Sequence, residues 1–282
     1  GSLKLWIALR APFWMARGKD GWHQEHEANF GERWVTLHKA LHRDVEFLLY
    51  ANPFLPVQAG QNLQQKFCLE DTPLPGSYCF EVPEEGFARR HVSSTEKGDE
   101  GVIYVEPQSG LSPFFLVDGA SIIVALALGA EEGDRVLDVS AAPGGKALIL
   151  ASEIFARSWQ RDPHAELRGK LVCNDVSKAD AAELRRTLRD FLPVELLEPS
   201  NGPRVAMTTA DPGTPSNTME RHGPYDRILL DAPCTADRQL LRQEGKLERW
   251  SRGTNKVSSD RQLKWLRNAL WLLREGGLLV YC

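Results

Sequence analysis

Hydrophobic and polar positions follow two regimes along this chain. From residue 134 onward, short apolar runs alternate with stretches whose apolar residues recur every three or four positions. Residues 135–139, 169–173, 204–207, 226–231 and 276–282 are such runs. Their continuous apolar character predicts strands covered on both faces. Helices are predicted at about 146–157, around Leu184, Leu188, Phe191 and Leu192, and around Leu263, Leu266, Leu270 and Leu273. Strands alternating with helices predict an α/β fold, a mostly parallel sheet with helices on both faces and right-handed crossovers.

Upstream the pattern is looser. Residues 102–105 read as a short strand, and Ile122, Ile123, Leu126 and Leu128 as a helix capped by Asp118 and closed by Gly129 and Gly133. Trp34, Leu37, Leu41, Val45 and Leu48 predict one helix over 33–50, ended by Asn52-Pro53. Residues 52–100 are rich in Pro, Gly and charge and read as loops. Residues 1–34 hold Trp6, Trp14, Trp22 and Trp34 without a period. We therefore expect a loop-rich, partly helical N-terminal extension over 1–112, either covering structure or a surface for RNA or protein, and a catalytic domain over 113–282.

Composition narrows the field. The 282 residues suffice for one large domain or two modest ones. A formal net charge of −4 excludes a generally basic nucleic-acid binder, so any such site is a local patch. Cys68, Cys79, Cys173, Cys234 and Cys282 are widely spaced and lack zinc-ligand spacing, so neither a metal site nor a disulfide framework is expected. No apolar run reaches the roughly 20 residues of a membrane span. No targeting segment is visible; Gly1-Ser2 resembles a cloning scar. The last residues stop inside an apolar run, and further residues are expected after Cys282.

The candidate chemistry sits at strand ends, where open α/β sheets bind ligands. Asp138 opens a turn, Ser140-Ala141-Ala142-Pro143-Gly144-Gly145-Lys146, that matches neither a dinucleotide fingerprint nor a phosphate loop. Asp175, Asp211 and Asp231 end the next three strands. An acid after the second strand can accept from ribose hydroxyls, and one after the third from an adenine amino group. Four carboxylates repel phosphates and suit a cationic cofactor, which points to S-adenosylmethionine over NAD. Asp231-Ala232-Pro233-Cys234 puts an acid and a thiol at one strand end. Nine basic residues between Arg238 and Arg267, against three acidic ones, form the local patch. Arg238, Arg242, Lys246, Arg249 and Arg252 are its candidate RNA contacts, with Trp250 to stack on a base.

These residues together resemble the Sun-domain family of RNA cytosine-5 methyltransferases, related to the bacterial Fmu-type rRNA enzymes. The family's cofactor loop D-x-C-A-A-P-G-G-K-T is matched from Asp138 to Ala147, with Ser140 and Ala147 departing. Its D-x-P-C is matched by Asp231 to Cys234, and its G-G…L-V-Y-S-T-C-S by Gly276 to Cys282. The match covers about 113–282. Within the family, residues 115–121 and 231–238 look most like the mitochondrial ribosomal-RNA member.

The resemblance implies a Rossmann-like S-adenosylmethionine-dependent core. It implies the loop, Asp175, Asp211 and Asp231 as cofactor contacts, and Lys146 beside the target nucleotide. It further implies a covalent mechanism: a cysteine adds to C6 of cytosine, Asp231 serves as the acid near N3, and Cys234 assists release. The attacking cysteine of T-C-S would stand two residues past Cys282, which aligns with the preceding Ser. Residues 157–169 read as an insertion. The implied substrate is ribosomal RNA of the small subunit or its precursor. The implied setting is ribosome assembly in the mitochondrial matrix, or otherwise the cytoplasm, with protein partners there and no membrane. Two alternatives stay open: an inactive ribosome-assembly factor of the same fold, and a tRNA cytosine-5 methyltransferase.

Overall fold

The computed structural model describes residues 17–44, 47–67, 70, 72, 79–81, 106–163, 166–198, 202–215 and 217–282. The strand expected at 102–105, Trp6, Trp14 and Cys68 lie outside them. In chain order the elements begin with α1 (Gly18–Phe30), α2 (Arg33–Leu41), β1 (Phe47–Ala51), α3 (Val57–Phe67), β2 (Cys79–Glu81), β3 (Phe114–Asp118) and α4 (Gly119–Ala127). Then come β4 (Arg135–Asp138) and α5 (Gly145–Ala151), which runs on through a π-helical turn, Ser152–Ala156, and a last turn, Arg157–Arg161. β5 (Lys170–Asn174), α6 (Lys178–Phe191), β6 (Val205–Thr208) and β7 (Tyr225–Leu230) follow, then α7 (Asp237–Arg242), α8 (Arg252–Leu272) and β8 (Leu273–Tyr281).

The chain forms two compact units, drawn differently from the division expected at residue 112. The larger comprises the described residues of 45–232 and 264–282; the smaller comprises those of 1–44 and 233–263.

In the larger unit, β6-β5-β4-β7-β8 make an all-parallel sheet. Its strands alternate sides as a pleated backbone requires. Val136, Leu171 and Leu229 pack with Ile122, Leu148, Leu184, Leu188 and Phe191 on one face. Leu137, Val172, Ile228 and Leu230 pack with Trp265, Ala269 and Leu272 on the other. Burying one such leucine stabilises the fold by about 1.5–3 kcal/mol. Ser177 caps α6 by accepting from the Asp180 amide, and Asp180 and Arg189 match the helix dipole. Asp118 caps α4 as expected, accepting from Ala120 N at 2.9 Å.

A second sheet, β2-β1-β3, is antiparallel. It corrects the single helix expected over 33–50: α2 stops at Leu41, and Phe47–Ala51 is a strand. Leu48 fits both periods, and pairing with β3 decides for the strand, a tertiary effect that local spacing does not contain. Asn52 ends this strand rather than a helix. Its amide donates to the Ser112 and Phe191 carbonyls, both at 2.8 Å, and its carbonyl accepts from Phe54 N at 3.0 Å. The apolar phase of α8 also differs from expectation. Trp265, Ala269 and Leu272 face the sheet, while Leu263 and Leu270 are exposed.

In the smaller unit, Trp22, Trp34, Leu247 and Trp250 form the core. Gly18 N donates to Trp250 O at 2.9 Å, tying the start of α1 to the segment before α8. Among the described residues, no helix is long and apolar enough to cross a membrane. Nor does any group of three or more His, Cys, Asp or Glu among them have the geometry to hold a metal ion.

Candidate active site

The chain builds β4, β5 and β6 outward in one direction and then returns to add β7 and β8 on the other side of β4. The carboxyl ends of β4 and β7 therefore flank the point where strand order reverses, the usual ligand crevice of such sheets. The turn after β4 and Asp231 after β7 meet there. Lys146, in the first turn of α5, places Nζ 2.7 Å from Asp231 Oδ2. The pair is partly exposed, at 19% and 39% for the two side chains.

The turn is held by its neighbours. Ala141 N donates to Asn174 O at 2.9 Å and Ala142 N to Asp175 Oδ2 at 3.3 Å. Ser140 and Ala142 are partly exposed and Pro143 is exposed, with a cis bond between Ala142 and Pro143. Gly144 has φ 125°, and a Cβ there would lie 2.7 Å from Thr187 Cγ2. Only glycine lets the turn press this closely on α6. Gly145 is the first helical residue.

Asp138 is fully buried, and its carboxylate meets no donor at full hydrogen-bond geometry, only the nearby Ser140 amide. Burial pushes its pKa up to about 7; Asp231 and Asp175 add to the rise, while Lys146 and the Ser140 amide oppose it. A buried acid so weakly served by donors is unusual. It marks the floor of this crevice as a place that favours an added positive charge or donor.

Asp175 and Asp211 are brought to the same sheet edge but are locally engaged. Asp175 accepts from Ser177 N at 2.9 Å in addition to Ala142 N. Asp211 accepts from Gly213 N at 2.9 Å and Thr214 Oγ1 at 3.0 Å, and the Gly213 bond leads the causes that lower its pKa. Each oxygen keeps a lone pair for a ligand hydroxyl or amine. A cavity of about 370 Å³ opens beside Asp211, lined by Thr209, Ala210, Thr214, Pro215 and Thr218.

Two residues that sequence reasoning missed shape this edge. Asn174 is fully buried. Its amide donates to Val139 O and Ala210 O, both at 3.1 Å. Its carbonyl accepts from Thr208 Oγ1 at 2.7 Å and Ala210 N at 2.9 Å. One side chain thus pins the ends of β4, β5 and β6. Cys282 lies next to β7, with Sγ 3.5 Å from Asp231 Oδ1. Burial, then the Asp231 charge, push its thiol up to about 12, so it stays protonated and donates to Asp231.

Cys234 belongs to the smaller unit and is exposed. It sits on a turn with Ala236 in the left-handed region (φ 53°, ψ 51°), and Ala236 N donates to its Sγ at 3.3 Å. A non-glycine residue held there costs about 1 kcal/mol. Cys234, Thr235, Leu240, Lys246, Arg249, Trp250, Thr254 and Ser258 line a cavity of about 360 Å³.

The basic patch divides. Lys246 and Arg249 line that cavity, and Arg238 is partly exposed on α7. Arg242 donates to Asp44 Oδ1 at 3.0 Å and Arg43 O at 2.8 Å, and Arg252 pairs with Glu25 at 3.3 Å. Trp250 corrects the stacking expectation: it is only 4% exposed and packed against Trp22, Trp34 and Leu247. The apolar core of the smaller unit claims its ring.

The family described as 16S rRNA methyltransferase RsmB/F matches residues 125–282, more than half of the sequence. The chain belongs to the RsmB/F family. Curated relatives include the 5-cytosine rRNA methyltransferase NSUN4 of Mus musculus, 33% identical over 174 residues, 61% of this chain and 41% of that protein. The mitochondrial tRNA (cytosine(34)-C(5))-methyltransferase of Mus musculus is 31% identical over 175 residues, 61% of this chain and 44% of that protein. The RsmB/F chain thus spans about two fifths of the length of these relatives.

A solved methyltransferase homolog protein from Pyrococcus horikoshii has the same fold. Its TM-score is 0.60 at 21% identity, over 93% of this chain and 72% of that one. NSun6 from Pyrococcus horikoshii matches with a TM-score of 0.59 at 17% identity, over 92% of this chain and 81% of that one. The expected Rossmann-like fold and the expected family are both borne out.

Proposed function

We propose that this RsmB/F chain is the catalytic part of an S-adenosylmethionine-dependent RNA cytosine-5 methyltransferase acting on ribosomal RNA. The observation that carries the reading is the Lys146–Asp231 ion pair at the strand-order reversal, beside the buried Asp138. The residues fit the cofactor. The Ser140–Lys146 turn supplies backbone amides. Asp175 and Asp211 offer lone pairs to ribose hydroxyls and an adenine amine, with room beside Asp211. A sulfonium and an ammonium suit an acid-lined crevice. The bound cofactor supplies an electrophilic methyl group.

The chain's own groups do the remaining work. Asp231, fixed by Lys146 and Cys282, is set near N3 of the cytosine ring, and the proton it lends there as the acid is supplied by its Lys146 pair. A cysteine thiolate adds to C6, which makes C5 nucleophilic; after methyl transfer a base takes the C5 proton, and the C–H electron pair restores the C5–C6 double bond and expels the cysteine thiolate. Cys234 assists that release. Lys246 and Arg249, with Arg238, meet RNA phosphates, and residues 1–112 add a surface for RNA or a ribosome-assembly partner. Relatives with mitochondrial names support a mitochondrial setting.

The test is methyl transfer from labelled S-adenosylmethionine to ribosomal RNA by the full-length protein, with the product base identified as 5-methylcytosine. A Cys234→Ala variant should accumulate a denaturant-stable protein–RNA adduct. No C5 methyl group on any ribosomal RNA would sink the reading. The relative named for tRNA cytosine-34 favours a second reading, tRNA as substrate; sequencing the RNA trapped by Cys234→Ala separates the two.

A further inference from the structure

The turn that carries Cys234 is fastened to α1 by one carboxylate. Asp237 follows Cys234 by three residues and opens α7. Its Oδ1 accepts from Trp22 Nε1 at 3.0 Å and from Thr235 Oγ1 at 3.3 Å. Its Oδ2 lies 3.1 Å from His26 Nε2. Trp22 is fully buried and His26 only 8% exposed. A buried indole N–H needs an acceptor, and Asp237 is that acceptor.

The partners of His26 fix its charge. Nδ1 lies 2.8 Å from the Trp22 carbonyl, and Nε2 faces a carboxylate. Both partners are acceptors only, so both ring nitrogens must carry a proton, and the ring is an imidazolium. Burial opposes that charge. The Asp237 hydrogen bond, the Trp22 carbonyl and the charges of Asp237 and Glu25 outweigh it, so the pKa is raised. The charged groups around the ring are Asp237 on α7, Glu25 on α1 and, across Glu25, Arg252 on α8; from α2 the Trp34 ring meets it at 4.7 Å.

We propose that Trp22 and His26 are positioning residues for Cys234, which hold its turn through Asp237. With Asp237 anchored, Ala236 is kept in its left-handed conformation, and its amide stays aimed at the Cys234 sulfur. That amide, held on the sulfur, fixes the orientation in which Cys234 presents its thiol. When His26 loses its proton, one of its two contacts must break, and the anchor loosens. The proposal rests on the reading of Cys234 as the residue that assists release. Its test needs no RNA or cofactor.

The experiment is the rate of Cys234 alkylation by iodoacetamide, resolved by peptide mass spectrometry, from about pH 5.5 to about pH 9, in the full-length protein. In the wild type the pH profile of the rate should carry a step where His26 loses its proton, as followed by NMR of the ring. His26→Ala should abolish that step and slow alkylation near neutral pH by about threefold to tenfold. His26→Gln, whose amide can still donate to Asp237, should restore most of the rate and none of the step. Trp22→Phe keeps the aromatic packing, loses one hydrogen bond and should slow alkylation in the same direction.

Profiles of His26→Gln and Trp22→Phe that superimpose on the wild type overturn the proposal, whether or not His26→Ala folds. Failure of methyl transfer with an altered Cys234 profile counts against the methyltransferase reading and leaves this one standing.

Discussion

Lys146 Nζ and Asp231 Oδ2 are 2.7 Å apart, and they join the turn after the central strand to the end of its neighbour. The two residues come from segments 85 positions apart. Lys146→Met should lower methyl transfer by the full-length protein about 100- to 1,000-fold through loss of an oriented charge. The melting transition should move little, because a pair this exposed contributes about 0–1 kcal/mol. Single-turnover transfer and thermal unfolding measured together check both halves. Activity within threefold of wild type would show that Asp231 does not need this partner.

How much of this was legible in the sequence depends on the kind of interaction. The inner strands of the parallel sheet were readable because residues such as Val136, Leu171 and Ile228 are covered on both faces, and such burial leaves unbroken apolar runs; β8, expected to be covered likewise, is instead an edge strand with Leu278 and Tyr281 exposed. The meeting of Asp231 with the turn through Lys146 was readable as a placement, because both lie at the carboxyl ends of strands. The face of α8 was not. Its leucines keep helical spacing, yet the sheet takes Trp265 and Ala269, and spacing alone does not say which stripe turns inward. The core of Trp22, Trp34 and Trp250 joins segments more than 200 residues apart, which no local period encodes. For Asn174 there was no signal, since a strand-end asparagine reads as a turn former unless its neighbours are known.

Two adjacent glycines should behave differently. Gly144→Ala adds a Cβ 2.7 Å from Thr187 at a backbone conformation that alanine avoids, and should cost about 1–3 kcal/mol. At Gly145 the nearest atom to an added Cβ is Phe115 Cε1 at 3.4 Å, an ordinary contact. Gly145→Ala should be neutral or stabilise by up to about 1 kcal/mol through helix propensity. Chemical denaturation of both variants provides the comparison. Equal losses would mean that the turn does not rest on α6.

Asn174→Ala should be among the most damaging single changes in the larger unit. It removes four hydrogen bonds and takes a partner from the buried Thr208 hydroxyl and Val139 carbonyl and from the partly buried Ala210 amide and carbonyl. The loss should be about 3 kcal/mol or more. It should also weaken S-adenosylmethionine binding, because Asp175 and the turn after β4 hang from the same strand ends. Calorimetric titration with the cofactor under conditions where the variant is folded tests the second point. Unchanged affinity would confine Asn174 to stability alone.

Asp138 predicts a pH dependence with a definite sign. Its folded pKa of about 7 lies above the ordinary carboxyl value of 3.8. Between those two values the folded protein holds a proton that the unfolded chain has released. The stability linked to Asp138 is therefore fully present below about pH 4 and is lost as pH rises toward about pH 7. Asp138→Asn cannot titrate. Its unfolding free energy should gain on the wild type across that window by an amount on the order of a few kcal/mol, then run parallel above it. Denaturation of both proteins at several pH values on either side of the window gives the difference directly. A constant difference from acid to neutral pH would mean that Asp138 titrates alike in the folded and unfolded states, and its burial would then carry no proton.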